Sequence, residues 1–253
     1  MSEWLILILG TLATCAVVLA VAVLRQRRAG GDDDPSETPD VIEYMTMMIG
    51  VVYAIVLGLA IAGVWEAREA ADETVQNEAQ ALHEVSARAQ VYPAPVRDRI
   101  RADVGAYVRH TVHTEGPYMA AHGRLTGAGD RLLARLRTDV LAYEPHTARE
   151  EQTYQSLSDQ VGEAAAARAD RGQSLEPTLP GVVWLGLVAG AVVSVGMLFT
   201  LQIQRSGREL LLAGLFTALL AFLLFLVWHF DYPFVHGLSD PLDPFTALFP
   251  GDT

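Results

Sequence analysis

The sequence predicts an all-α integral membrane protein: four transmembrane helices, with a helical insert domain between the second and third. Three observations carry that expectation. Four windows of about twenty residues hold almost no charge and are long enough to cross a bilayer as helices. The 253-residue chain is 51% apolar with a positive mean hydropathy, and its charge is confined largely to the segments between those windows. The polar segment between the second and third windows spaces its apolar residues three or four apart and shows no period-two alternation.

Residues 1–24 form the first span. Trp4 to Leu24 is uncharged, and Arg25, Arg27 and Arg28 stop it. A signal peptide carries its positive charge before the apolar run, so this is read as a retained span. Cys15, the single cysteine, lies inside it, which excludes a disulfide framework or cysteine-based zinc site within one chain. The "LATC" stretch faintly resembles a lipoprotein cleavage box. No basic region precedes it and the apolar run continues past it, so lipidation is not expected.

Residues 25–38 are an acidic linker. Thr38 can cap the next helix and Pro39 suits its first turn. The second span, residues 39–65, is uncharged from Tyr44 to Trp65. Its helical pattern continues without Gly or Pro, placing Ala71, Val75, Ala79, Leu82, Val85 and Ala89 on one stripe until Pro93 and Pro95 break it. At 1.5 Å per residue this is a rod about 78 Å long, half of it beyond the bilayer.

The insert, residues 66–180, holds 13 arginines and 18 acidic residues. After the rod extension, a helix from Pro95 to about Glu115 puts Ile100, Val104, Tyr107, Val108 and Val112 on one face. Another, from about Asp130 to Ala142, carries Leu132, Leu133, Leu136 and Val140. A third starts at the capping box Thr147–Glu150 and runs to about Arg171, with Tyr154, Leu157 and Val161 inward. The third span is residues 181–203, the loop 204–209 permits only a tight hairpin, and the fourth span is 210–230. An acidic tail, 231–253, follows. Trp228, Phe230, Tyr232 and Phe234 fall where the fourth span leaves the hydrocarbon, as interfacial aromatics do, and Pro233 ends the helix.

The short connections carry Arg25, Arg27, Arg28, Arg205 and Arg208, whereas the N-terminal tip and the tail carry no arginine. Positive short loops stay cytoplasmic, so both termini and the insert are expected outside.

Several function classes lose support. A net charge of −12 and the lack of a basic patch argue against a nucleic-acid partner. No ionisable residue interrupts the central part of any span, which argues against a proton relay or voltage sensor. His110 and His113 sit one turn apart near Glu115, but no third ligand is identifiable, so no metal site is expected. Asp32 to Asp34 read as a solvated linker. No nucleophile elbow, phosphate loop or dinucleotide fingerprint occurs, so no cofactor and no enzyme activity are expected. Small residues are the stronger signal. Gly50, Ala54, Gly58 and Ala62 recur every four residues on the second span, and Gly186, Gly190 and Ser194 on the third. Such ladders let helices approach closely in lipid, within a subunit, between subunits or at a pore.

The closing stretch "FDYPFVHGLSDPLDPF" resembles the signature of a bacterial membrane family of unknown function described as bestrophin-like, with Asp231, Pro233, Phe234, Gly237, Pro244 and Phe245 at the matching positions. "GVVYAIVLGLAIAGVW" and the residues after it resemble the family's second span, with Trp65 at its exit and Glu78-Ala79 beyond. "YVRHTVHTEGPYM" matches a stretch with Glu115 and Pro117. "RADRGQSLEPTLPGVVW" matches an Arg168-x-x-Arg171 segment leading through Pro180 to Trp184. Two departures stand out: the family's usual tryptophan position is Gly116, and the arginine cluster near Arg168 is thinner.

The resemblance implies kinship to bestrophins, pentameric anion channels whose apolar neck is lined from the second span. It also implies that the termini and helical mass face the cytoplasm, opposite to the arginine count. The expected setting is a multi-pass protein of the bacterial inner membrane, in contact with lipid and homo-oligomeric. Its leading function is non-enzymatic, with an insert that senses or binds a protein partner through residues 66–180. The alternatives are an oligomeric anion-channel-like protein with a pore lined by the second span and, third, a membrane enzyme.

Overall fold

The computed structural model describes residues 40–200, 207–232, 234 and 242–251. The first span, the acidic linker, residues 204–206 of the loop 204–209, Pro233 and Gly237 lie outside the described residues. The described residues are helical, with no strand among them. The helices are α1 (Asp40–Arg88), α2 (Ala94–His110), α3 (Gly116–His122), α4 (Gly127–Leu141), α5 (Ala148–Gln173), α6 (Gly181–Thr200), α7 (Gly207–Phe230) and α8 (Asp243–Leu248). Two of them are long and apolar enough to cross a membrane: α1 from Tyr44 onward, and α7 over Leu211–Phe230. The chain divides into two units, Met1–Val64 with Leu179–His229, and Trp65–Thr178 with Phe230–Thr253.

In the first unit α1 turns Tyr53, Leu57, Ala60 and Val64 inward, at the three-and-four spacing that a helix needs to bury one face. Tyr53 donates its hydroxyl to the Leu187 carbonyl of α6 (2.9 Å). That contact exists because Gly190 leaves room: a Cβ there would enter the Tyr53 ring. Met45, Met48, Val52, Ile55 and Leu59 are exposed on α1, as are Val182 and Leu185 on α6 and Leu211 and Leu215 on α7. An exposed apolar surface of this extent suits hydrocarbon, not water.

The second unit has its own core. The α1 stripe Ala71, Val75, Ala79, Leu82 and Val85, with Ala89 in the 3-10 turn that follows, is fully buried, as the spacing predicts. It meets Ile100, Val104, Tyr107 and Val108 from α2, Leu133, Leu136 and Val140 from α4, and Leu157 and Val161 from α5. Thr147 caps α5 by accepting from Glu150 N–H (3.2 Å), while the Glu150 carboxylate accepts from Thr147 N–H (3.2 Å), closing the capping box.

Two local expectations need correction. The sequence predicts that a helix ends near Glu115. The chain instead passes through a π-turn, Thr111–Glu115, straight into α3. Gly116 N–H reaches back to the Thr111 carbonyl, and Pro117 occupies the first turn of α3, where a missing donor costs little. The reading also places Phe234 at the membrane interface. The structure buries it, with Leu242, Phe245 and Phe249, in the core of the second unit. The tail is therefore a packing element of this unit. It also accounts for Gly116, since a Cβ there would lie 2.5 Å from Leu242 Cδ1.

Candidate functional site

The second unit encloses an ionic cluster drawn from distant parts of the chain. Glu78 lies on the inward stripe of α1, one turn after Val75 and one before Leu82. Arg168 and Arg171 occupy inward positions of α5, three residues apart, after the buried Ala164. Glu115 is the last residue of the π-turn, whose extra residue per turn rotates it inward. Glu78, Glu115 and Arg171 are fully buried, and Arg168 is 3% exposed.

The two guanidiniums divide the work. Arg171 grips Glu78 with two parallel bonds, Nε to Oε2 (2.7 Å) and Nη2 to Oε1 (3.0 Å). The same Nη2 donates to Glu115 Oε1 (3.0 Å), and Nη1 contacts Met119 Sδ (2.9 Å). Arg168 forks onto Glu115, Nη1 to Oε1 (2.5 Å) and Nη2 to Oε2 (2.9 Å). Its Nε donates to Asp130 Oδ1 (2.8 Å), and Nη2 also donates to the Thr126 carbonyl (2.9 Å). Tyr107 donates its hydroxyl to Glu78 Oε1 and accepts from Arg168 Nη1 (3.2 Å). Thr126 gives Glu115 Oε2 both its N–H (3.1 Å) and its hydroxyl (2.7 Å), which seats the start of α4. Because that hydroxyl proton is committed, His110 Nε2, 2.8 Å from Thr126 Oγ1, must be the donor in its contact.

Electrostatics follow from this saturation. Burial pushes the Glu115 carboxyl upward, but the hydrogen bonds from Arg168 and the nearby Arg171 charge outweigh it and hold the pKa down to about 2. Burial, then the adjacent Glu78 carboxylate, push the Tyr107 phenol upward, so it stays a donor. Burial opposes the charge on Arg168 and Arg171, yet the facing carboxylates raise both. The two buried carboxylates and two buried guanidiniums balance. Every oxygen of Glu78 and Glu115 has a donor, so the cluster offers no open ligand position. What it can do is clamp α1, α2, the π-turn, α4 and α5 into one register. Bidentate arginine–carboxylate pairs are suited to this, because they fix orientation as well as distance.

The cluster gives a pH prediction. A carboxyl depressed on folding adds stability above its unfolded value near 4.3 and loses it as pH falls toward its folded value. The second unit should therefore hold through pH 5 and lose stability as pH falls from about 4 toward 2. Helical circular dichroism and tryptophan emission across that range check this.

Glycine 129 marks how tightly the clamp is built. A Cβ there would enter the Arg168 guanidinium, so Gly129→Ala must displace a side chain already committed to Glu115 and Asp130. We expect a loss of about 1–3 kcal/mol, read as a lower thermal midpoint.

Glu78, Glu115, Arg168 and Arg171 were each legible as motif positions, and the structure brings the four together. Tyr107, expected on an inward helical face, completes the cluster with Thr126, Met119 and Asp130, and none of the four was expected as a site residue. A charge at an inward stripe position was the available signal, and it does not name its hydrogen-bond partners. Trp65, half exposed, meets Phe230 edge-on at 5.3 Å and donates to Glu69 Oε1 (2.6 Å). The Pro180 carbonyl accepts from Val183 N–H (2.9 Å) and Trp184 N–H (3.3 Å), starting α6. Pro117 opens α3, Asp231 is buried with its carbonyl accepting from Thr178 N–H (3.3 Å), and Phe245 is fully buried. His110 points into the Thr126 contact, while His113 is exposed.

The small-residue ladders behave differently from each other. On α1, Ala54, Gly58 and Ala62 are exposed, and no described atom comes within 4 Å of a Cβ built on Gly50 or Gly58. On α6, Gly190 packs against Tyr53, Ser194 is buried and Gly186 is exposed.

A family model described as "Bestrophin-like domain" matches residues 4–239. The crystal structure of a mutated bacterial bestrophin homolog from Klebsiella pneumoniae has the same fold, with a TM-score of 0.68 at 14% identity, covering 100% of this chain and 96% of that one. No curated protein matches the sequence. The match over nearly the whole chain, together with the all-helical fold and the two membrane-length apolar helices, makes this a membrane protein of bestrophin type, and the chain belongs to the bestrophin-like family.

Proposed function

We propose that the protein is a non-enzymatic, multi-pass homo-oligomer of the bacterial inner membrane with channel-like activity, in which the outward face of α1 meets other copies and borders a path for anions. The observation that carries this is the α1 ladder, which no described residue fills at Gly50 or Gly58. Tyr53, Leu57, Ala60 and Val64 turn inward, while Ala54, Gly58 and Ala62 present a smooth, uncharged surface outward. In lipid, small residues are useful where another backbone approaches or where a passage needs width. Family membership supports the same reading. The span count is completed by the run 4–24 and by 181–203. The saturated buried cluster supports a structural insert, not a catalytic one.

A second reading keeps the protein non-conducting, with the insert 66–180 binding a protein partner. The excess of 18 acidic residues over 13 arginines in that insert favours it, because an acidic approach to a pore repels anions. Subunit count separates the two. The purified full chain in mild detergent should give a particle mass several times the 27.4 kDa of one chain. Gly58→Leu should then lower the particle mass or narrow the path while the monomer stays folded. A wild-type monomer would sink the first reading.

Orientation is tested separately. The arginine asymmetry predicts that a cysteine replacing Ser239 reacts with an impermeant thiol reagent in intact cells, and that cysteines replacing Ser36 or Ser206 do not. The reverse pattern supports the orientation that the bestrophin resemblance implies.

A further inference from the structure

The seam between α2 and α4 carries a second buried carboxylate that the ionic cluster does not use. Asp103 of α2 is 4% exposed. Its Oδ1 accepts from Arg135 Nε of α4 at 3.0 Å, but that guanidinium is largely exposed and covers only one oxygen. Oδ2 is buried and has no donor. Asp139, one turn beyond Arg135 on α4, is a second carboxylate within hydrogen-bonding reach of Asp103. Asp103 is buried and Asp139 half-buried, and two acceptors so close are unfavourable until a proton lies between them, when one becomes a donor and both are satisfied.

We infer that Asp103 and Asp139 hold one proton between them, and that its loss loosens the α2–α4 seam, making the insert responsive to mildly acidic pH. The charged groups around the pair are few. Arg135 faces Asp103 from α4, and Arg99 approaches it along α2; both favour the ionised form. Burial and Asp139 oppose them and win, raising the Asp103 carboxyl to about 6. A carboxyl raised on folding contributes stability that is complete below its unfolded value near 3.9 and is lost as pH climbs through the folded value. The seam is therefore tightest at mildly acidic pH and weakens between about pH 5 and 7. This runs opposite to Glu115, whose window lies below about pH 4, so the two effects do not overlap.

The test uses the full chain in detergent, with infrared difference spectra and thermal midpoints between pH 5 and pH 7.5. The wild type should show a protonated-carboxyl band at pH 5 that disappears on raising the pH, with the midpoint falling by about 2–4 °C. Asp103→Asn should lack the band and keep its midpoint across the range, because an amide donates to Asp139 at every pH. Asp139→Asn provides the second readout: its amide donates to Asp103 Oδ2, so this variant too should lose the band and flatten the profile. His110 lies two turns along α2. It is unchanged in both variants, and the comparison removes its contribution. A wild-type band that persists in both variants, or identical midpoint profiles in all three proteins, would overturn the inference.

Discussion

Arg171→Ala should unfold the insert. The substitution leaves Glu78 without both of its guanidinium bonds and takes one of two positive charges from beside Glu115. Both carboxylates are fully buried, so water cannot replace the lost donors without opening the core. Removing one partner of a buried pair costs about 3–5 kcal/mol, and a domain's whole stability is about 5–15 kcal/mol. The expected outcome is a loss of the cooperative thermal transition of the second unit, or a midpoint lowered by more than 10 °C, roughly the effect of 3–5 kcal/mol. Arg171→Lys should recover only part of the loss, since an ammonium keeps the charge but cannot grip Glu78 with two parallel bonds. A double change, Arg171→Met with Glu78→Leu, should be less harmful than Arg171→Ala, because it removes charge and counter-charge together. If Arg171→Ala melted like the wild type, the clamp would not hold the insert.

Gly190→Leu should have the second large effect, in the first unit. The α6 backbone at Gly190 lies against the Tyr53 ring, and the Tyr53 hydroxyl bonds to the Leu187 carbonyl one turn earlier. A leucine side chain would occupy the ring's position. Tyr53 cannot step aside cheaply, since its ring is buried and its hydroxyl would lose the carbonyl. Overpacking of this kind costs about 1–3 kcal/mol, to which the broken hydrogen bond adds about 1 kcal/mol. Expression and detergent stability should both fall. Gly58→Leu is the matched control. It adds the same side chain to α1 where no described atom lies within 4 Å, so the monomer should melt unchanged. Equal damage from both substitutions would contradict the assignment of one ladder to packing inside the chain and the other to its outer surface.

The periodic parts of the fold were legible in the sequence. The α1 stripe from Ala71 to Ala89 and the inward faces of α2, α4 and α5 follow from spacing alone, because burying one helical face needs apolar residues every three or four positions. The capping box at Thr147 was legible for a similar reason: it is a local pattern with a local cause. The π-turn was not, since nothing in "HTEGP" distinguishes a bulge from a helix end. The tail was misread because Phe234 suits a membrane interface and a protein core equally well, and only tertiary contact decides. The cluster lay between these cases. Glu78 and Arg171 showed as positions of the family resemblance, but their pairing spans 93 residues and could not be read from local spacing. The two ladders look alike in sequence and differ only in what stands opposite them.

In the proposed function, the outward ladder of α1 belongs to an oligomeric channel-type assembly. Ionic current across a planar bilayer carrying the purified full chain, with chloride gradients to set the reversal potential, tests it most directly. Current should reverse near the chloride equilibrium potential and fall in Gly58→Leu protein whose thermal midpoint matches the wild type. A bilayer that stays silent at every salt and voltage, with protein that remains folded and membrane-inserted, would contradict it.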